Sequence, residues 1–283
     1  MKSTTGTREW SEVSSNIGRG CANNCRYCYG REWALRYGLI SHPDQWSAET
    51  LNAKPPKVPR NKVVMFPTVH DITPFYLERA VANLHRLLEA GNQVLLVSKP
   101  RPACIERICA EVSRHKEHLL LRFSIGSLRE ELAAFWEPGA PSIAERVSCL
   151  KFAFEAGFRT SVSMEPMLDG SEDAERTFFA LEPLVNDQVW IGRMNKVDER
   201  VRPKDARIQA ACDRVKAAQT DAQILKLVRK LHGQAKVAWK DSIRGVIESS
   251  GLAAPDPALR RGSRPVLQMA PAVDACGQLC FLS

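Results

Sequence analysis

The chain has 283 residues, 44% hydrophobic and 25% charged, the composition of an ordinary folded protein long enough to bury one large α/β core. No stretch reaches the roughly 18 to 20 apolar residues of a membrane span, and Met1-Lys2-Ser3-Thr4-Thr5 lacks the apolar core of a secretion signal, so no membrane partner and a cytoplasmic location are expected. Net charge is +8 and unevenly placed: residues 1–192 carry 23 Lys and Arg against 23 Asp and Glu, and residues 193–283 carry 17 against 9. A basic carboxyl third suits a phosphate-bearing partner, and equally the solvated helix faces of a basic protein.

Glu12 to Ile17 has the β-branched and apolar character of a first strand, closed by Gly18-Arg19-Gly20, whose glycines would let backbone approach a bulky inorganic group. Cys21-Ala22-Asn23-Asn24-Cys25-Arg26-Tyr27-Cys28 follows. Three thiols so close read as a metal site, since one disulfide would strand the third sulfur. Thiolate softness admits zinc or an iron–sulfur cluster. The next candidates for a fourth ligand, His42, His70 and Cys104, stand unpaired, so a [4Fe–4S] cluster held by three cysteines, with one iron open to a ligand, fits better than a closed zinc site. Cys28 to Ile40 reads as a helix with Trp33, Leu35 and Leu39 on its buried side, which puts Cys25 and Cys28 at a loop-to-helix junction.

Residues 41–60, rich in proline, read as a connecting loop. Strands are expected at Lys62 to Phe66, Gln93 to Val97, Leu119 to Ile125, Thr160 to Met164 and Gln188 to Ile191. Between them, helices are expected from Pro74 to Ala90, Cys104 to Arg114, Ser142 to Ala156 (with a Ser142/Glu145 capping box) and Ala174 to Leu181. Six strand–helix alternations imply a parallel sheet wound as a partial (β/α)6 barrel. Two charged helices near 204–217 and 221–232 and a possible strand at Lys236 to Trp239 follow, making residues 1–250 one domain with a basic helical extension and 251–283 a loosely packed tail. In such barrels the carboxyl ends of the strands carry the site. Here those ends hold Thr68-Val69-His70-Asp71, Ser98-Lys99, Ser124 to Ser127, Glu165 and Arg193 to Asn195.

The C-x3-C-x2-C pattern with an aromatic residue before the last cysteine resembles the radical S-adenosylmethionine (SAM) superfamily. Arg122-Phe123-Ser124-Ile125-Gly126-Ser127, Phe135-Trp136-Glu137-Pro138-Gly139-Ala140-Pro141-Ser142 and Glu145-Arg146 resemble its spore photoproduct lyase-like branch over roughly residues 12–195. The resemblance implies a partial barrel, a [4Fe–4S] cluster on Cys21, Cys25 and Cys28, SAM at the open iron, and a flavodoxin- or ferredoxin-type reductant. It places Tyr27 near the adenine, with Ser98, Lys99, Ser124 and Asn195 also on the cofactor. True photoproduct lyases carry a hydrogen-donating cysteine near the second strand tip. This chain has Pro67-Thr68-Val69-His70-Asp71 there, so dimer repair itself is not implied.

His70 and Asp71 are candidates to orient or protonate a substrate, and Glu165 to hold a substrate amine. Family likeness and the basic third favour a nucleobase or modified pyrimidine, in nucleic acid or as a nucleotide, undergoing repair or rearrangement of a lyase or isomerase type. Arg193, Lys196, Arg200, Arg202 and Lys204 would then contact phosphates. The alternatives are a radical SAM enzyme acting on a peptide or small metabolite, and a non-catalytic zinc-stabilised nucleic-acid-binding module. Cys276 and Cys280 form a loose second pair, and Cys104, Cys109, Cys149 and Cys212 read as small buried hydrophobes on helices.

Overall fold

The computed structural model describes residues 6–202 and 205–251. Seven parallel strands stand side by side: β1 (Val13–Ser14), β4 (Val63–Phe66), β5 (Gln93–Ser98), β6 (Leu119–Ser124), β7 (Arg159–Met164), β8 (Val189–Ile191) and β9 (Val237–Trp239), in the order β1-β4-β5-β6-β7-β8-β9. Two further strands, β2 (Gly18–Arg19) and β3 (Thr50–Leu51), pair antiparallel in a separate ribbon. Helices α1 (Tyr29–Arg36), α2 (Leu77–Glu89), α3 (Pro102–Glu111), α4 (Glu130–Trp136), α5 (Ile143–Glu155), α6 (Ser171–Leu181), α7 (Val197–Arg200), α8 (Ala206–Ala218), α9 (Asp221–Lys230) and α10 (Asp241–Ser249) complete the order, with 3-10 turns at Gly6–Glu9, Pro43–Ser47, Ser113–His118 and Glu182–Leu184.

Because side chains alternate across a strand, each strand feeds two cores. Val64, Phe66, Val94, Leu96, Leu121, Phe123, Val162 and Val189 join the large core shared with the helices. Their neighbours Met65, Leu95 and Leu120 form a smaller cluster with Trp10, against which Trp190 packs. The sheet curves into an open barrel in which, among the described residues, β9 does not pair with β1. The amino-terminal turn is tied across instead. Lys240, immediately after β9, donates to Gly6 O at 3.1 Å and lies 3.0 Å from Glu9 Oε1, while Arg244 holds Glu9 Oε2 at 2.7 Å.

The six expected strand–helix units are present, and Val237–Trp239 adds a seventh strand. The capping box closes as expected: Glu145 N donates to Ser142 Oγ at 3.2 Å and Ser142 N to Glu145 Oε2 at 2.8 Å. Several expectations need correction. The first strand is two residues long, because Asn16 leaves the sheet to bind Thr68 and Val69 through its amide. Residues 41–60 are not all loop, since they contain the Pro43–Ser47 turn and β3. Helices α4, α7 and α10 are not among the elements expected from sequence. Helix α1 buries Gly30, Arg31 and Ala34, whereas Trp33 and Leu39 are 46% and 40% exposed. Gly18 and Gly20 serve backbone-to-backbone packing: a Cβ on either would meet Thr50 O at 2.2 Å or Ala48 O at 2.0 Å. The tail pair Cys276 and Cys280, and Lys204, lie outside the described residues.

Candidate active site

The cysteine loop is clamped from two sides. Cys21 N donates to Trp46 O at 2.8 Å, and Arg26 N donates to Trp136 O at 2.8 Å. Gly139 N donates to Asn23 O at 3.0 Å, and the Arg101 guanidinium grips both Asn23 Oδ1 at 2.9 Å and Gly139 O at 2.8 Å. Asn24, at φ 44°, makes the left-handed turn that Asn tolerates and most residues do not. Cys28 is the N-cap of α1. No disulfide forms among the described residues, and burial raises all three thiol pKa values, that of Cys25 to about 12.

Asp71, at the end of the loop after β4, braces this arrangement. Its Oδ2 accepts from Asn23 Nδ2 at 2.8 Å and faces Cys21 Sγ at 3.7 Å, while its Oδ1 accepts from Lys99 N at 2.7 Å and Ser98 Oγ at 3.1 Å. Burial alone would raise its pKa, but Lys99 and these donors outweigh it and hold the carboxyl below the usual carboxylate range. Asp71 is therefore an ionised anchor with both oxygens occupied by the protein's own donors. Ser98 is likewise turned inward, accepting from Ile72 N at 3.0 Å while donating to Asp71. His70 stacks on Tyr76 at 4.2 Å and its Nδ1 lies 2.9 Å from Asp71 O. That carbonyl can only accept, so Nδ1 carries the hydrogen and Nε2 is left as an acceptor. Burial lowers the His70 pKa, with Asp71 acting against the fall, which favours the neutral ring.

Lys99 is the cation at the centre. Its Nζ lies 3.9 Å from both Asp71 and Glu137 and 5.7 Å from the Tyr27 ring centroid. Burial disfavours its charge, but Cys25, Tyr27, Asp71 and Glu137 prevail and raise its pKa well above the ordinary lysine value. The Tyr27 hydroxyl donates to Glu137, whose other oxygen is held by buried Arg146. Glu137 and Arg146 were visible only as parts of a motif. Their role emerges from α4 and α5 folding back over the cysteine loop, and the one signal available was a Glu-Pro-Gly run after Trp136.

These groups open onto a cavity of about 530 Å³. Of the sequence-predicted residues, Cys21, Cys25, Cys28, Tyr27, His70, Asp71, Lys99, Ser124, Glu165 and Asn195 line it, and Ser98 does not. Glu165, at the tip of β7, stands 3.4 Å from Lys240 Nζ. Burial raises its pKa, with Lys240 acting against the rise. Lys240 was not foreseen; it lies 1% exposed over the Trp10 ring at 4.2 Å. Three of the expected phosphate contacts are engaged within the fold: Arg193 with Asp221 at 2.6 Å, Lys196 with Glu199 at 3.2 Å and Arg202 with Glu32 at 2.7 Å. Arg200 lines the cavity and forms no ion pair among the described residues.

No protein-family model matches the chain. Streptococcus suis SuiB bound to precursor peptide SuiA superposes with a TM-score of 0.51 at 10% identity, covering 84% of this chain and 51% of that one. A spore photoproduct lyase mutant carrying dinucleoside spore photoproduct covers 91% of this chain and 77% of its own, at TM-score 0.48 and 14% identity. An uncharacterized protein, ORF301 of Acidianus two-tailed virus, is 26% identical over 203 residues, 62% of this chain. The match spans 64% of the viral protein, just under two thirds of its length. The chain thus shares the fold of SuiB, an open and mostly parallel α/β barrel. No helix among the described residues is long and apolar enough to cross a membrane.

Proposed function

We propose that the chain is a radical SAM enzyme in which Cys21, Cys25 and Cys28 hold a [4Fe–4S] cluster and the adjoining cavity holds SAM. The observation that carries this reading is three thiols from one clamped loop, none in a disulfide, facing one cavity beside a buried lysine. The residues fit such a group. Three free thiols from one short loop suit three corners of an iron–sulfur cluster whose remaining iron stays open to a ligand. Trp46 and His70, which line the cavity, each bury a ring nitrogen (Nε1 and Nε2) that has no partner among the described residues, as expected where a polar ligand completes the site. When bound, cluster and SAM supply a 5′-deoxyadenosyl radical that removes a hydrogen atom from the substrate.

The chain's own residues bind and orient. Lys99 presents an ammonium suited to the SAM carboxylate, and Ser124 and Asn195 offer polar groups to the rest of the cofactor. Tyr27, tied to Glu137, supplies a fixed ring face. Glu165 is the carboxylate left for substrate. Asp71 and Glu137 are occupied by the protein's own donors, whereas Glu165 meets only Lys240 among the described residues. A nucleobase N–H or amine matches that acceptor, and the basic carboxyl third suits the phosphates of a nucleotide or nucleic acid. The chemistry is repair or rearrangement of a modified base, with the electron coming from a flavodoxin- or ferredoxin-type donor.

The test is anaerobic reconstitution with iron and sulfide, then SAM and dithionite, with 5′-deoxyadenosine quantified in the presence of nucleoside, oligonucleotide or peptide pools. A brown protein whose 5′-deoxyadenosine yield rises with nucleobase substrates is expected, and C25A should abolish both colour and product. A colourless protein with one bound zinc sinks the reading. Stimulation by peptides alone sinks the substrate class.

A further inference from the structure

Helix α1 carries an aromatic row that the catalytic reading does not use. Tyr29, Trp33 and Tyr37 are spaced by four residues, which places them on one helix face about 6 Å apart along the axis. Tyr37 caps the helix and continues the row, its N–H donating to Trp33 O at 3.1 Å. All three are exposed, by 41%, 46% and 63%, where an amphipathic helix would bury them. The face turned inward is Gly30 instead, and a Cβ there would stand 2.9 Å from both Trp46 and Val69 O. The row begins inside the site: Tyr29 lines the cavity, its hydroxyl pinned to Thr68 O at 2.7 Å. From there it runs outward to Trp33 and Tyr37, whose rings touch at 5.0 Å. An exposed apolar patch of this kind marks a place where a partner sits.

Charge says which partner. Arg31 Nη2 donates to the carbonyls of both Arg26 at 2.6 Å and Arg200 at 3.2 Å, so the segments bearing those two cations lie side by side against α1. The guanidinium groups of Arg26 and Arg207 both lie over the Phe135 ring, at 5.0 and 5.4 Å. None of Arg26, Arg200 and Arg207 forms an ion pair among the described residues, although Arg26 Nε donates to Phe135 O at 2.8 Å. Arg200 lines the cavity together with Tyr29, so a guanidinium without an ion pair among the described residues stands where the aromatic row begins, a combination that suits a polyanion with stackable bases. A duplex hides its base faces, whereas a single strand presents them.

We propose that α1 and its arginine flank bind single-stranded nucleic acid, with bases stacked on Trp33 and Tyr37 and phosphates on Arg26, Arg200 and Arg207, leading one base past Tyr29 into the cavity. This rests on the nucleic-acid reading of the substrate. The experiment measures fluorescence anisotropy of a labelled oligothymidylate with the cluster-loaded full chain, and with W33A, Y37A and R200Q. Each aromatic truncation should weaken binding about tenfold. Iron content and 5′-deoxyadenosine formed from SAM alone should not change in W33A or Y37A, whose rings touch neither. R200Q should lower the slope of log K against log salt by about one. The inference is overturned if W33A and Y37A bind the strand as wild type does, if duplex binds as tightly as single strand, or if the wild-type chain binds no strand. It is equally overturned if the aromatic variants lose turnover with a protein reductant but not with dithionite, which would make α1 a protein-docking face. None of these results touches the SAM-cleavage assay, so the two readings fail separately.

Discussion

Replacing Gly139 by Ala tests whether the chain after α4 sets the cysteine loop. An added Cβ would stand 2.1 Å from Ala22 O, 3.0 Å from Ala22 C and 3.1 Å from Asn23 Cα, all backbone atoms that cannot swing away. Ordinary contact begins near 3.4 Å, so the Ala22 carbonyl must recede by about 1.3 Å. The recoil strains the Gly139 N to Asn23 O bond and the two Arg101 bonds that lock the same residues. Overpacking of this kind costs ~1–3 kcal/mol, a loss of a few to about 10 °C in melting temperature for a chain of this size. The functional effect should be larger, because a displacement of about 1 Å at a catalytic constellation costs on the order of a hundredfold. The assay is iron per chain and the 5′-deoxyadenosine rate in G139A, beside melting temperature. The control is G245A, on the exposed face of α10 with nothing within 4 Å of its added Cβ. It should leave iron unchanged and add up to ~1 kcal/mol of stability. If G139A fills with iron and cleaves SAM as wild type does, the Ala22–Asn23 contact does not set the thiol geometry.

Three further outcomes are expected. R146M strands Glu137, 2% exposed, without its guanidinium and should destabilise by ~3–5 kcal/mol in urea unfolding; a loss under 1 kcal/mol would mean that Lys99 and Tyr27 suffice to hold the carboxylate. For Glu165 the folded pKa is raised, chiefly by burial, so its contribution to stability is full below the unfolded value of about 4.3 and is lost as pH rises through the folded pKa. E165Q should therefore be more stable than wild type at pH 7 and no better at pH 4, while losing turnover, and equal stability at both pH values would contradict the sign. K240M removes the cation between Glu9 and Glu165 and should cost several kcal/mol, of which E9Q in the same background restores part; simple additivity of the two changes would show that they are not coupled.

Legibility followed the range of the interactions. The cysteine spacing, the Ser142 capping box and the strands from Val63 to Ile191 are local patterns, and each appears where its residues predicted. Helix α1 shows how local pattern can mislead. Its apolar residues include Trp33 and Leu35, yet it is Gly30 that fits against Trp46 and Val69, and no periodicity can weigh a contact between segments this far apart. Asp71 and Ser98 were correctly placed at strand ends, but their partners, Asn23, Lys99 and Ile72, come from three different loops. Whether a polar group faces a ligand or its own protein depends on those partners.

By itself the amino-acid sequence determined a parallel α/β barrel and a trio of thiols at its mouth, because turn residues, strand runs and cysteine spacing act over a few neighbours. Tertiary packing alone decided that Asp71 braces rather than donates, that Glu137 and Arg146 lock Tyr27, and that Lys240 reaches back to Glu9 and Gly6 across the open barrel edge. Those assignments depend on which hydrogen-bonding capacity remains once distant segments meet, and a buried polar group takes whichever partner the fold brings within reach.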